Sequence, residues 1–337
     1  MNDWRAAFAM QAHACRTLGA PLTADLCERL ARAIAADPGP VAGRVRDWPG
    51  DPTYHGDSVP LRLTGALQGL VLTGALAAVT KDIDLAKVFQ QHEPWLLDWL
   101  ERPPQTNEVG RSAVLIAACR FLAGLGHHDL DLLELGASAG LNLNFPLYNL
   151  DLYTSNPGAV VLTPEWRGTP PPALPLQFGS ARGVDLNPLD PVCDGLRLLA
   201  YIWPDQPQRL ARTRAALDLA RQHPPQVDRG DAGAWLQAQL APAPLRGRLV
   251  YHTVAAQYFP PRTRAQVEHA LQTAGAATWP GAPLCHVSME ADGGEGMALH
   301  LRLWDRGRLS RWDLGRAHAH AQWIDWTPAE RQPEDTR

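Results

Sequence analysis

Lysine is almost missing from this sequence: of its 31 basic residues only Lys81 and Lys87 are lysine, and the rest are arginine. A bias this uniform, beside abundant alanine, glycine and proline, reads as the base composition of a GC-rich genome. The functional alternative is arginine kept for bidentate anion binding. No charge of one sign dominates, since 35 acidic residues give a net charge of −4. That excludes a nucleic-acid binder working through bulk charge, because neutralising phosphates needs a basic surface. The five cysteines are scattered and form no C-x-x-C pair, so no zinc site is expected. Their odd number in a large chain suggests reduced thiols in a cytoplasmic protein. Met1–Met10 holds Asp3 and Trp4 and no apolar run, unlike a secretory signal. Leu63–Thr80 is an uncharged run of 18 residues, about the length of a membrane span. Three glycines, three threonines and Gln68 make it a buried core helix, so no membrane partner is expected.

The composition describes a folded protein. The 337 residues are 45% hydrophobic and 20% charged, enough for two domains at ~150 residues each. Residues 1–126 read as a helical N-terminal region, with helices over Trp4–Leu18, Thr23–Ala35, Leu61–Val79, Ile83–Leu100 and Glu108–Leu125. Asp47–Pro60 reads as a loop. From His127 short apolar runs alternate with helical stretches, the mark of a parallel sheet with crossover helices. The expected strands are Leu130–Leu135, Gly183–Leu186, Gln226–Arg229, Arg248–Val254, Leu284–Met289 and Met297–Trp304. A crossover helix spans Val192–Arg221, broken near Pro204 and Pro207. Pro146–Gly179 is too long for a plain loop and reads as an insertion.

The strongest local signal is the strand ending in Glu134, with Gly136-Ala137-Ser138-Ala139-Gly140 directly after it. Two chemistries use such a turn. In nucleoside-cofactor binding, Gly136 and Gly140 let the backbone approach a ligand. Glu134 then suits a cationic group, such as the ammonium of S-adenosylmethionine, better than a pyrophosphate. The same five residues also match the G-x-S-x-G turn of a serine hydrolase, with Ser138 as nucleophile. That reading needs strands and an oxyanion-hole element upstream, where helices are expected and His127 and His128 lack following glycines. The later strand ends favour the cofactor reading. Asp185 ends a second strand, where a carboxylate holds ribose hydroxyls. Asp231 and Ala232 end a third, where a side chain and an amide could read an adenine edge, and His252 ends a fourth. Each acid taken singly also suits a turn or a helix cap.

This order of strand ends resembles the class I S-adenosylmethionine-dependent methyltransferases. Five phrases, Gln105–Arg111, Glu134–Leu143, Arg182–Pro188, Trp203–Gln206 and Gly230–Ala232, spread over roughly residues 90–290. On them the whole chain more closely resembles the uncharacterised bacterial family called domain of unknown function 2332. The methyltransferase resemblance implies an α/β, Rossmann-like sheet with helices on both faces over residues 127–337, and the inserted segment at about 146–179 departs from it by standing where that family keeps a single crossover helix. The N-terminal helices would cover the site. It implies a cofactor site in which Glu134, Gly136, Ser138 and Gly140 line the methionine part, Asp185 the ribose, and Asp231 with Ala232 the adenine. Ser138 stands where the family has its middle glycine, and its Cβ narrows the approach.

The expected activity is methyl transfer from S-adenosylmethionine to a small molecule. A Ser138 hydrolase and a non-catalytic cofactor binder are the alternatives. Asn107, Glu108 and Arg111, at a helix start, read either as a clamp for a substrate carboxylate or as a cap bonded to neighbouring loops. Trp203–Gln206 reads as a lid element or a rigid helix break. His252, a general base near neutral pH, and Tyr258 are the catalytic candidates, with Gln257 on the substrate side. His252 also fits a buried structural role. His286, Glu290, His318 and His320 make no recognised metal spacing.

Overall fold

The structure, a computed structural model, describes residues 3–153, 160–241 and 243–331. It divides into two compact units, Met1–Thr106 with Cys193–Arg214, and Asn107–Val192 with Ala215–Arg337.

The first unit is helical: α1 (Trp4–Thr17), α2 (Pro21–Ala36), α3 (Pro40–Arg46), α4 (Val59–Leu72), α5 (Leu85–Gln91), α6 (Glu93–Leu100) and α8 (Gly195–Ala200). Leucine and tryptophan side chains such as Leu30, Leu63, Leu67 and Trp99 form its core. The apolar run expected to stay helical to Val79 stops at Leu72, where the Thr73 hydroxyl bonds back to the carbonyls of Gly69 and Leu70. The helix expected over Ile83–Leu100 is two helices, because Pro94 lacks the amide that would continue α5. The break at Trp203–Gln206 has a definite job. Asp205 accepts from the amides of Leu22 and Thr23 and from the Thr23 hydroxyl, capping α2, whose own cap position is Ala20. No helix among the described residues is long and apolar enough to cross a membrane.

The second unit is a mixed α/β sheet flanked by helices. Its strands are β1 (Asp129–Leu135), β4 (Glu165–Arg167), β5 (Gln177–Asp185), β6 (Gln226–Arg229), β7 (Gly247–Thr253), β8 (Leu284–Glu290), β9 (Met297–Asp305), β10 (Arg308–Ala317) and β11 (Trp323–Glu330). A separate pair joins β2 (Asn149–Leu150) to β3 (Val161–Leu162). The nine-stranded order is β4-β11-β10-β9-β8-β7-β1-β5-β6. From β6 through β5, β1 and β7 to β8 every neighbour is parallel; β8, β9, β10 and β11 then run antiparallel in succession. The chain leaves β1 for β5 on one side and reaches β7 on the other, so sheet order reverses at β1. The end of such a reversal is where open α/β sheets bind ligands.

Helices α10 (Ala232–Leu240) and α11 (Pro261–Ala276) cover one sheet face through Leu236, Val267 and Leu271 against Leu133, Val250 and Trp304. Helix α7 (Ser112–Gly124) serves the other, where Phe121 meets the edges of Trp312 and Trp326 at 6.0 and 6.2 Å. A 3-10 turn, Val109–Arg111, precedes α7 where a continuous helix from Glu108 was expected. The crossover helix breaks as its prolines suggest, into α8 and α9 (Pro207–Gln222). The segment expected to be an insertion holds β2, β3, β4 and the first residues of β5; residues 154–159 of it lie outside the described residues.

Candidate functional site

The turn after β1 is built from left-handed backbone: φ is +72° at Gly136, +54° at Ser138 and +72° at Gly140. It is stitched to the end of β5. The amides of Gly136 and Ala137 both donate to the carbonyl of Val184, at 2.9 and 3.0 Å. The Ser138 amide donates to Asp185 Oδ2 at 2.8 Å, and the Asn187 amide donates to Oδ1 at 2.8 Å. Leu141, leaving the turn, donates to Asn107 Oδ1 at 2.8 Å. A 3-10 helix, Leu141–Leu147 with Pro146 inside it, comes next. The glycines answer to packing. A Cβ at Gly136 would stand 2.6 Å from Ala255 Cβ, and one at Gly140 2.7 Å from Pro225 and Val227.

Glu134 lies at this turn with its side chain buried, and its Oε2 has no hydrogen-bond partner among the described residues. Burial pushes its carboxyl well above the usual range. Asp185 adds to that push, while Asn142, Arg111 and Tyr251 oppose it. Ser138 Oγ is likewise buried without a partner among the described residues. Arg111 reaches two carbonyls, Ala319 O at 2.8 Å through Nε and Thr253 O at 2.9 Å through Nη1. Glu108 Oε1 caps the 3-10 turn by accepting from the Gly110 amide at 2.9 Å. Asn107 and Arg111 are therefore bonded to neighbouring loops, one of the two readings their spacing allowed.

The other candidates stand apart from this network. Asp231 caps α10, accepting from the amides of Gly233 and Ala234 and from the Thr263 hydroxyl. Burial raises its pKa, but those bonds outweigh burial and hold the carboxylate below its usual range. Ala232 is the buried first residue of α10. Gln257 and Tyr258 lie in the 3-10 turn Ala256–Tyr258 beyond β7, both exposed, Tyr258 by 72%.

His252, near the end of β7, is buried and its Nδ1 lies 2.7 Å from Glu290 Oε1. The same oxygen accepts from the amides of Ala255 and Ala256 at 3.0 and 3.1 Å. Burial raises the Glu290 pKa, yet His252 and the two amides hold it below the usual carboxylate range. An ionised Glu290 accepts a hydrogen bond from Nδ1–H, which leaves the Nε2 lone pair free. Glu290 is a partner of His252 that sequence reasoning did not assign, since the pairing crosses from β7 to β8. His252 also borders a cavity of about 260 Å³ with His286, Ser288, His300, Arg302 and Arg311. Among the described residues no group of three or more histidine, cysteine or acidic side chains is placed to hold a metal ion.

These features define an α/β protein with a stitched glycine-containing turn at the reversal of its sheet and a histidine–carboxylate pair one strand away. The chain belongs to the family described as an uncharacterized protein conserved in bacteria (DUF2332), whose model matches residues 5–326. No curated protein matches the sequence.

Proposed function

We propose that the protein is an S-adenosylmethionine-dependent methyltransferase with a Rossmann-like second unit, acting on a small molecule. The observation that carries this reading is the buried Glu134 carboxyl, whose Oε2 lacks a partner among the described residues at the strand where sheet order reverses. An orphaned buried acid is costly, and a ligand ammonium would satisfy it. Gly136, Ser138 and Gly140 would surround the methionine part. Asp185 would hold the ribose through lone pairs that Ser138 and Asn187 leave free, with Asp231 and Ala232 on the adenine side. S-adenosylmethionine, when bound, supplies the electrophilic methyl group. His252 would take the acceptor's proton at Nε2, with Glu290 stabilising the imidazolium. Tyr258 and Gln257 would meet the acceptor at the rim, and Asn107, Glu108 and Arg111 would hold the wall. The rate gain is one of alignment.

Isothermal titration of the full chain with S-adenosylmethionine and its demethylated product tests this. Both should bind. Glu134→Gln should weaken both by about tenfold or more, as loss of a charged hydrogen bond implies. Wild-type protein that binds neither ends the reading. One observation favours a serine hydrolase instead: Ser138 combines φ +54° with a hydroxyl unpartnered among the described residues. Fluorophosphonate labelling lost in Ser138→Ala would replace methyl transfer with that chemistry.

A further inference from the structure

The cavity beside His252 has a chemistry of its own. Strand register places His286, Arg302 and Arg311 side by side across β8, β9 and β10. The next row on the same face is His252, Ser288, His300 and Asp313. Toward β1 this face is apolar and lies under α10 and α11, but over β8 to β10 it opens into the cavity of about 260 Å³.

Arg302 fixes the protonation of its neighbour. Its Nη1 donates to both oxygens of Glu268 at 2.8 Å, and its Nε donates to His286 Nδ1 at 3.2 Å. An arginine has only donors to offer, so Nδ1 must accept. The proton of the neutral imidazole then sits on Nε2. That N–H is buried and has no acceptor among the described residues, although His286 is only 6% exposed. On the far side of Arg302 from His286, Arg311 stands directly opposite Arg302 in the antiparallel ladder. Like charges so placed repel unless something lies between them. Arg302 is neutralised by Glu268, while the Arg311 side chain makes no hydrogen bond or ion pair among the described residues and influences Glu268 only at a distance. The remaining acids facing this region are engaged: Asp313 with His300 and Arg331, and Glu290 with His252.

His286 with its orphaned N–H, Arg311 with its uncompensated guanidinium and Ser288 thus line one cavity. We propose that it binds an oxyanion, the carboxylate or phosphate of a small molecule, held by His286 Nε2–H, Arg311 and Ser288. The volume is just below the ~300–1,000 Å³ of pockets for drug-sized ligands, which suits a short acid or a phosphate ester. His252 borders the same cavity, which puts a base beside the bound anion. The site does not depend on the methyl-transfer reading, and a failure of S-adenosylmethionine to bind would leave it standing.

Calorimetric titration of the full chain with inorganic phosphate and with succinate, at matched ionic strength against chloride, tests the proposal. One of the two should bind where chloride does not. Tighter phosphate assigns the site to phosphate esters, and tighter succinate to carboxylic acids. Arg311→Gln should weaken that binding by about tenfold, or about 1.4 kcal/mol, and Ser288→Ala should weaken it less. The His286 Nε2–H resonance of the wild type should shift on titration, a readout that stands even where a variant does not fold. Absence of binding by both anions, or a folded Arg311→Gln that binds as wild type does, overturns the proposal.

Discussion

Glu134 on β1 stands in register with Tyr251 on β7, and both side chains are buried. Burial pushes the titration of each well above its usual range. A carboxyl whose folded pKa is raised favours the folded state only while it stays protonated. Its contribution is full below the unfolded value of about 4.3 and is lost as pH rises toward the folded value. Urea denaturation should therefore find wild-type stability drifting down above pH 5. Glu134→Gln, neutral at every pH, should lack that drift. At pH 8 the variant should be the more stable protein, by about 1.4 kcal/mol for each pK unit that burial has added.

The same carboxyl makes cofactor binding a proton-coupled event. On the methyl-transfer reading an ammonium arriving at Oε2 favours the ionised form, so binding near neutral pH should expel a proton. Titration of S-adenosylmethionine in two buffers of different ionisation enthalpy would report this as a difference in apparent binding heat. Equal heats in the two buffers would show that Glu134 does not change charge. The pair of expectations separates stability from function: Glu134→Gln should gain the first while losing affinity.

Gly136 and Gly281 both have left-handed backbone, at φ +72° and +85°, but differ in surroundings. A Cβ at Gly136 would meet Ala255 Cβ at 2.6 Å, whereas one at Gly281 would find nothing within 4 Å. Alanine at either position incurs backbone strain, of about 1–2 kcal/mol. Gly136→Ala should cost about 1–3 kcal/mol more, for overpacking. Denaturation midpoints of the two variants, compared at one slope, give the difference. Equal losses would mean that the turn can move away from Ala255.

How much of this was legible in the sequence depended on whether the signal was local. The run into Glu134 and the glycines after it lie within a few residues, as do the short strands β6, β7 and β8, and all were readable. Strand β10 was not. Arg308, Arg311, Asp313 and Arg316 break its apolar pattern, and a bulge between Asp313 and Gly315 shifts its period of two. Gly315 is required there because a Cβ would fall 2.0 Å from Asp325 O at φ +116°. With β10 hidden, the row of His286, Arg302 and Arg311 was hidden too. Glu290 was visible as an acid at a strand end, but its partnership with His252 spans 38 residues, and no spacing rule reports a contact made by sheet register. Asp231 shows the opposite case: its place before α10 was local and equally consistent with a cap, which is how its oxygens are used.

That long-range pair makes the last prediction. Glu290 is held below the usual carboxylate range because His252 and the amides of Ala255 and Ala256 outweigh the cost of burying it. A depressed folded pKa adds stability above the unfolded value of about 4.3, and that stability is lost as pH falls through the folded value. The acid limb of the wild-type stability curve should accordingly steepen below pH 4.5. Glu290→Gln keeps the shape but removes the charge, and its amide nitrogen sets a donor among donors. It should be less stable than wild type by about 1–3 kcal/mol at pH 7, the range for a buried polar group left poorly paired. The gap should close as pH falls through the folded value, where the wild-type carboxyl also loses its charge. A gap that persists unchanged at acid pH would mean that Glu290 acts through shape alone, and His252 would then lose its electrostatic support as a base.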